Sequence, residues 1–322
     1  MQGCGRLVLR TTGSVIMQEV PEPTPVFARK RTDLDYAGQT GAHAAAAAQL
    51  AYYRLMERTG WITVIGTAEE LDAHMDAWSE SPESQPLGII LSMEGCDPIT
   101  EPDETEYWKN AGLRAAGFAH YGLSHYAGGT GTKGPLTEKG IRLLSEFERL
   151  GLAVDVTHLS DRSFDETLDR FGGAVLASHH NCRRFVPDQR QLSDGQIKKL
   201  LSRDAVIGMA FDAWMLYEGW VRGETSPEVV AMAVIANHID HICQKAGDAK
   251  HVGIGSDLDG GFGYEQTPDD VKSIADLQHL ADILSKRGYS DDDIEYIFNG
   301  NWIRFFRMLL TQIDEKSHAN SG

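Results

Sequence analysis

The feature that most constrains this 322-residue chain is a series of short, nearly continuous apolar runs set between longer amphipathic stretches. The runs are GRLVLRT (5–11), LGIILSM (87–93), LRAAGFA (113–119), LAVDVT (152–157), AVLAS (174–178), VIGMAF (206–211) and VGIGS (252–256). A strand that is apolar at successive positions must be covered on both faces, and helices packed on a parallel sheet provide that cover. The intervening stretches open with helix-start signals. Thr67 with Glu70 and Ser193 with Gln196 read as capping boxes, and Ser290 with Asp293 as a similar cap. Ser226-Pro227 and Thr267-Pro268 each place a cap before a proline suited to a first helical turn. The alternation predicts an α/β fold, either a doubly wound sheet or a (β/α)8 TIM-type barrel. No GxGxxG follows the first run to support a nucleotide-binding sheet. Pro21, Pro23 and Pro25 make the stretch 20–40 irregular, yet no linker divides the chain. One domain over residues 1–322 is expected, since barrels commonly reach this size as a unit.

Six of the seven runs are followed at once by a residue able to bind metal or move protons: Glu94, His120, His158, His179, Asp212 and Asp257. Their separations of 26, 38, 21, 33 and 45 residues are those of successive βα units, so a parallel barrel would gather all six at its C-terminal face. One strand-end histidine alone is more often a hydrogen-bonded core residue. Three in matching positions, beside two Asp and a Glu, point to a site. Imidazole and carboxylate without thiolate suit zinc in a hydrolytic centre. Cys4, Cys96, Cys182 and Cys243 lie far apart without a CxxC pair and read as buried free thiols. Asp212 sits where a substrate-facing group could lie, and could equally cap the following segment.

The charge balance removes some partners. With 30 Lys and Arg against 47 Asp and Glu the formal charge is −17, a field that repels nucleic acid and anionic membrane surfaces. The run Ala44–Ala48 ends at Gln49, far short of a membrane span. MQGCGRLVLRTTGSV has no continuous apolar core typical of a secretory signal, so a cytoplasmic location is expected.

Taken together, LSMEGCD (91–97), GFAHYG (117–122), LAVDVTHLSD (152–161), ASHHNCRRFVPDQRQLSD (177–194), HVGIGSDLDG (251–260) and FNGNWIRFF (298–306) resemble the membrane dipeptidase (renal dipeptidase) family of zinc peptidases. The resemblance implies a (β/α)8 barrel with two zinc ions sharing a bridging carboxylate, hydrolysis of dipeptides by metal-activated water, and a homodimer. By motif, Glu94 is the bridge, and His158 with His179 completes one metal site. His120 matches the histidine that polarises the scissile carbonyl and stabilises its oxyanion. Arg184 matches the arginine that binds the substrate's free carboxylate, and Asp257 the acid that relays a proton to the leaving amine. Asp259 is expected to hold the loop, and His180 to hydrogen-bond nearby rather than to ligate. The family begins with a strand ending in His-x-Asp that supplies two further ligands, and GRLVLRT matches its second strand instead. The expectation is therefore a barrel incomplete at the N-terminal βα unit, with one zinc site intact. His74-Met75-Asp76 and His238-Ile239-Asp240 have the right letters but lie in helical patterns, and are read as structural or solvated. Two rival readings are another amide or lactone hydrolase, and a noncatalytic or single-metal barrel acting as a binding or structural protein.

Overall fold

The computed structural model describes residues 38–258, 260 and 262–319, with side chains followed to residue 316, and the backbone of Cys4–Val8. Asp259 and most of the proline-rich stretch 20–40, its three prolines included, lie outside the described residues. The chain divides into two compact units, Gln2–Ala174 with Phe306–Gly322, and Val175–Phe305.

The first unit runs β1 (Cys4–Val8), α1 (Gln39–Arg58), β2 (Ile62–Val64), α2 (Ala68–Glu80), β3 (Leu87–Glu94), α3 (Thr105–Asn110), β4 (Leu113–Gly117), α4 (Glu138–Leu150), β5 (Ala153–Asp155) and α5 (Asp161–Arg170). Its longest strand, β3, pairs in parallel with β2 along Leu87–Ile89, with β1 along Ile90–Glu94, and with β4, which in turn pairs with β5. Leu91, Met93, Ala115, Ala116 and Val154 are almost completely buried, as two-sided coverage requires. One cover is α4: Thr137 caps its first turn by accepting from the Gly140 N–H, and Leu143, Leu144, Phe147 and Leu150 form its buried stripe.

The second unit runs β6 (Val175–His180), α6 (Asp194–Leu201), β7 (Ile207–Met209), α7 (Ala233–Ala246), β8 (Val252–Ile254), α8 (His279–Lys286), α9 (Asp291–Glu295) and the first turn of α10 (Asn301–Ala319). Strands β6, β7 and β8 pair in that order, all parallel. Their approach depends on two glycines. A Cβ on Gly208 or Gly255 would come within 2.1 or 2.0 Å of the Ser178 carbonyl oxygen, so any side chain at either position pushes β6 away. Asn301 and Trp302 fix the other end of β8, the amide of Asn301 donating to the Ala249 and Val252 carbonyls and the indole N–H of Trp302 to that of Ile254.

Each of the seven apolar runs overlaps a strand, residues 9–11 of the first lying outside the described residues. An eighth strand, β2, falls outside the seven apolar runs. The helix-start signals divide. Thr67, Ser193 and Ser290 form complete capping boxes with Glu70, Gln196 and Asp293. Ser226-Pro227 opens only a 3-10 turn, Pro227–Val229, without a side-chain cap. Thr267-Pro268 opens no helix: the Thr267 hydroxyl turns to the Tyr264 and Val271 carbonyls and closes a loop instead. Cys96, Cys182 and Cys243 are free and buried. Both internal His-x-Asp triplets are helical, in α2 and α7. Among the described residues no helix is long and apolar enough to cross a membrane.

Candidate metal-dependent active site

In the first unit the ends of three neighbouring strands bring Glu94, His120 and His158 together. Glu94 closes β3, and His120 and His158 each lie three residues past β4 and β5. All three are buried. The Nε2 of His158 is 3.3 Å and that of His120 3.7 Å from the same oxygen, Oε1 of Glu94. The two imidazoles lie with centroids 4.2 Å apart, and the Tyr121 ring packs against both.

The Thr130 hydroxyl meets two groups of His158. It donates to the His158 carbonyl at 3.3 Å and lies 3.0 Å from His158 Nδ1. A hydroxyl has one proton, so with that proton on the carbonyl its lone pair takes the Nδ1–H, and Nε2 is left as the basic nitrogen turned toward Glu94. A basic nitrogen facing a carboxylate oxygen at 3.3 Å is repulsive unless a cation or a proton lies between them. His158 also has a left-handed backbone, φ 68°, as does Asp257, φ 59°. Such a conformation costs a non-glycine residue about 1–2 kcal/mol and concentrates at functional sites.

The second unit repeats the arrangement. His179, next to last in β6, has Nδ1 2.8 Å from the Ser178 hydroxyl and Nε2 3.8 Å from Oδ2 of Asp257, which lies three residues past β8. The His179 carbonyl accepts from Nη2 of the buried Arg190 at 2.9 Å. His180 is buried, and burial with the nearby charges of Arg190 and Arg183 holds its pKa well below the ordinary imidazole value.

Asp212, three residues past β7, is 6% exposed. Both its oxygens accept from the Gln266 amide, at 3.0 and 2.9 Å, and Oδ1 also accepts from the Trp214 N–H at 3.4 Å. It therefore caps the 3-10 turn Ala213–Met215. Burial raises its pKa to about 6, the Gln266 hydrogen bond opposing and the charge of Asp257 adding. Arg184 is exposed on the loop between β6 and α6, without a hydrogen-bond or ion-pair partner among the described residues. Its neighbour Arg183 is turned inward and donates to the Gln191 and Gln189 carbonyls.

Thr130, Tyr121, Gln266 and Arg190 belong to these surroundings but were not singled out from the sequence. Arg190 lies in the same quoted segment as Arg183 and Arg184. Charge cannot rank three arginines, whereas burial separates them.

The family model for membrane dipeptidase (peptidase family M19) matches residues 43–320. The chain belongs to the membrane dipeptidase family. This family member is 26% identical over 239 residues to an uncharacterized protein in the pqqA 5′ region of Klebsiella pneumoniae, covering 71% of this chain and 85% of that protein. It is 28% identical over 223 residues to dipeptidase verJ of Clonostachys rogersoniana, covering 68% and 54%. The chain spans about half the length of several dipeptidases it matches. Among solved structures it is similar to dipeptidase AC, a metallo peptidase of family M19, with TM-score 0.75 and 25% identity over 85% of this chain and 80% of that one. It is also similar to a metallo peptidase of Rhodobacter sphaeroides liganded with a phosphinate mimic of the dipeptide L-Ala-D-Ala, with TM-score 0.73 and 26% identity over 83% and 75%. These likenesses give the chain the α/β, TIM-type fold that the family resemblance implies, one of the two α/β folds its strand and helix alternation left open.

Proposed function

We propose that this chain is a metal-dependent dipeptidase that cleaves the peptide bond of dipeptides with an activated water. The observation that carries the reading is a repeated pair: a histidine held through Nδ1 by a hydroxyl and turned through Nε2 to a carboxylate, His158 with Glu94 and His179 with Asp257. Metal-ligating histidines are oriented in this way by the partner of their other nitrogen. By their motifs, Glu94, His158 and His179 would be ligands of a metal ion, and imidazoles with a carboxylate suit zinc. When bound, such an ion lowers the pKa of water and polarises a carbonyl.

The remaining steps fall to this chain's own side chains. His120 donates a hydrogen bond to the oxygen that gains charge as the carbonyl is attacked. Asp257 takes the proton lost by water and delivers it to the departing amine. A guanidinium on the loop between β6 and α6 receives the free carboxylate through two parallel charge-assisted bonds. Arg184, named by its motif, is free to do so from the surface. Arg190 is favoured by position, because its side chain is already buried and bonded to the carbonyl of His179. The dipeptide mimic bound by the Rhodobacter sphaeroides relative supports this substrate class.

Hydrolysis of a dipeptide and of its C-terminally amidated counterpart by Arg184→Ala and Arg190→Ala tests the reading. The variant lacking the receiving guanidinium loses about tenfold to a hundredfold in kcat/KM on the free acid alone. If the wild-type chain cleaves acylated amino acids or lactones and leaves dipeptides intact, the dipeptidase reading is wrong.

A further inference from the structure

The His-x-Asp triplet of α7 has no part in the site described above, yet its histidine is among the most enclosed polar side chains of the second unit. His238 is 0% exposed. Its Nδ1 accepts the backbone N–H of Cys182 at 3.0 Å, and its carbonyl oxygen lies 3.7 Å from the Cys182 thiol. Cys182 opens the loop that carries Arg183, Arg184 and Arg190. The neck of that loop is closed by Arg183 N–H to the Leu192 carbonyl at 2.8 Å and Leu192 N–H to that of Asn181 at 2.9 Å. This pairing leaves the Cys182 N–H pointing outward, and His238 supplies its acceptor.

Two more contacts lie on the same face of α7, at helical spacing from His238. The Phe185 ring stands edge-to-face against His238, centroids 4.8 Å apart, and against His241 at 5.7 Å. Past the loop, Asp194 at the start of α6 meets Nε2 of His241 and Nζ of Lys245, both at 2.7 Å. One helix face thus holds the beginning, the middle and the far end of the loop. Because Nδ1 accepts, Nε2 carries the ring proton, and that N–H is buried with no hydrogen-bond partner among the described residues. Burial pushes the pKa of His238 down to about 3, so the ring stays neutral and remains an acceptor. Asp240 faces elsewhere, toward Arg287 and the Tyr289 hydroxyl.

We propose that His238 is a positioning residue for substrate affinity: with Phe185 and His241 it sets the loop that presents Arg184 and Arg190, and so governs how tightly a free carboxylate is held rather than how fast the bond is cleaved. The kinetic part rests on the dipeptidase reading, whereas the anchoring of the loop does not. His238→Leu fills the space without an acceptor, His238→Asn returns an acceptor near the Nδ1 position, and Phe185→Leu loosens only the ring contact. Asp240→Asn is the control on the same helix.

His238→Leu should raise KM for a dipeptide by about tenfold or more, in line with one lost buried hydrogen bond, while kcat stays within about twofold. The amidated dipeptide should show no such rise. His238→Asn restores most of the loss, Phe185→Leu gives a smaller shift in the same direction, and Asp240→Asn leaves KM unchanged. Native-state hydrogen exchange at the Cys182 amide should accelerate in His238→Leu and recover in His238→Asn. Equal KM changes for free and amidated substrates overturn the affinity role. Unchanged exchange at Cys182 overturns the anchor. Should the wild-type chain prove inactive on dipeptides, the dipeptidase reading fails and the exchange result still decides the anchor.

Discussion

A carboxyl enclosed as Asp212 is makes the stability of the whole chain depend on pH in a direction opposite to that of most acids. Burial raises its pKa to about 6, against an ordinary carboxyl near 4 in the unfolded chain. Between those values the folded form binds more protons, so stability falls as pH rises through the window and then levels off about 3 kcal/mol lower. Asp212→Asn removes the buried charge. Gln266 can still pair with it, since its Oε1 has no partner among the described residues and can accept from the new amide. Thermal melting of the metal-free protein should show the variant more stable than wild type above pH 7, with the advantage gone below pH 4. An advantage of the same size at both ends would show that charge burial is not its source. At this scale the sequence was partly legible. It placed Asp212 at a strand end but could not choose between substrate contact and cap, because the choice depends on Gln266, 54 residues away. Glu94, His120, His158, His179 and Asp257 stand out in the sequence because each follows an apolar run. Thr130 was not: a threonine in a glycine-rich loop shows nothing until it is seen against His158.

Among the elements, β6, β7 and β8 position His179 through backbone approach rather than through side-chain packing. Gly255→Ala forces its Cβ against the carbonyl of Ser178, the residue whose hydroxyl orients His179. The variant is predicted to lose at least tenfold in zinc affinity, by competition with a chromogenic chelator, and about 1–3 kcal/mol of stability in urea unfolding. Gly195→Ala, where a Cβ meets nothing nearer than 3.9 Å, should change neither. Full zinc affinity in Gly255→Ala would mean that β6 yields without moving the histidine. Elements of this kind were readable where periodicity or capping chemistry was strong, as in the seven apolar runs and the boxes at Thr67, Ser193 and Ser290. The misread start at Thr267 has a physical cause. Threonine before proline suits a cap and a loop equally, and the carbonyls of Tyr264 and Val271 settle it for the loop.

For the molecule as a whole, the alternation of strand and helix carried the fold class, and the ordered motifs carried the family. The charge of −17 makes a field that opposes anions, so on the proposed reading a substrate carboxylate needs a specific group such as Arg184 or Arg190 to hold it. The proposal stands or falls on a metal ion, for which the motifs name Glu94, His158 and His179 as ligands, making this scaffold a dipeptidase. Titrating metal-free protein with zinc while following dipeptide hydrolysis tests it most directly. Negligible turnover is expected without zinc, with a rise that saturates at about one equivalent per chain and no rise in His179→Ala. Turnover in the metal-free chain equal to that of the zinc-loaded chain, or a rate that saturates only at two equivalents, would contradict it.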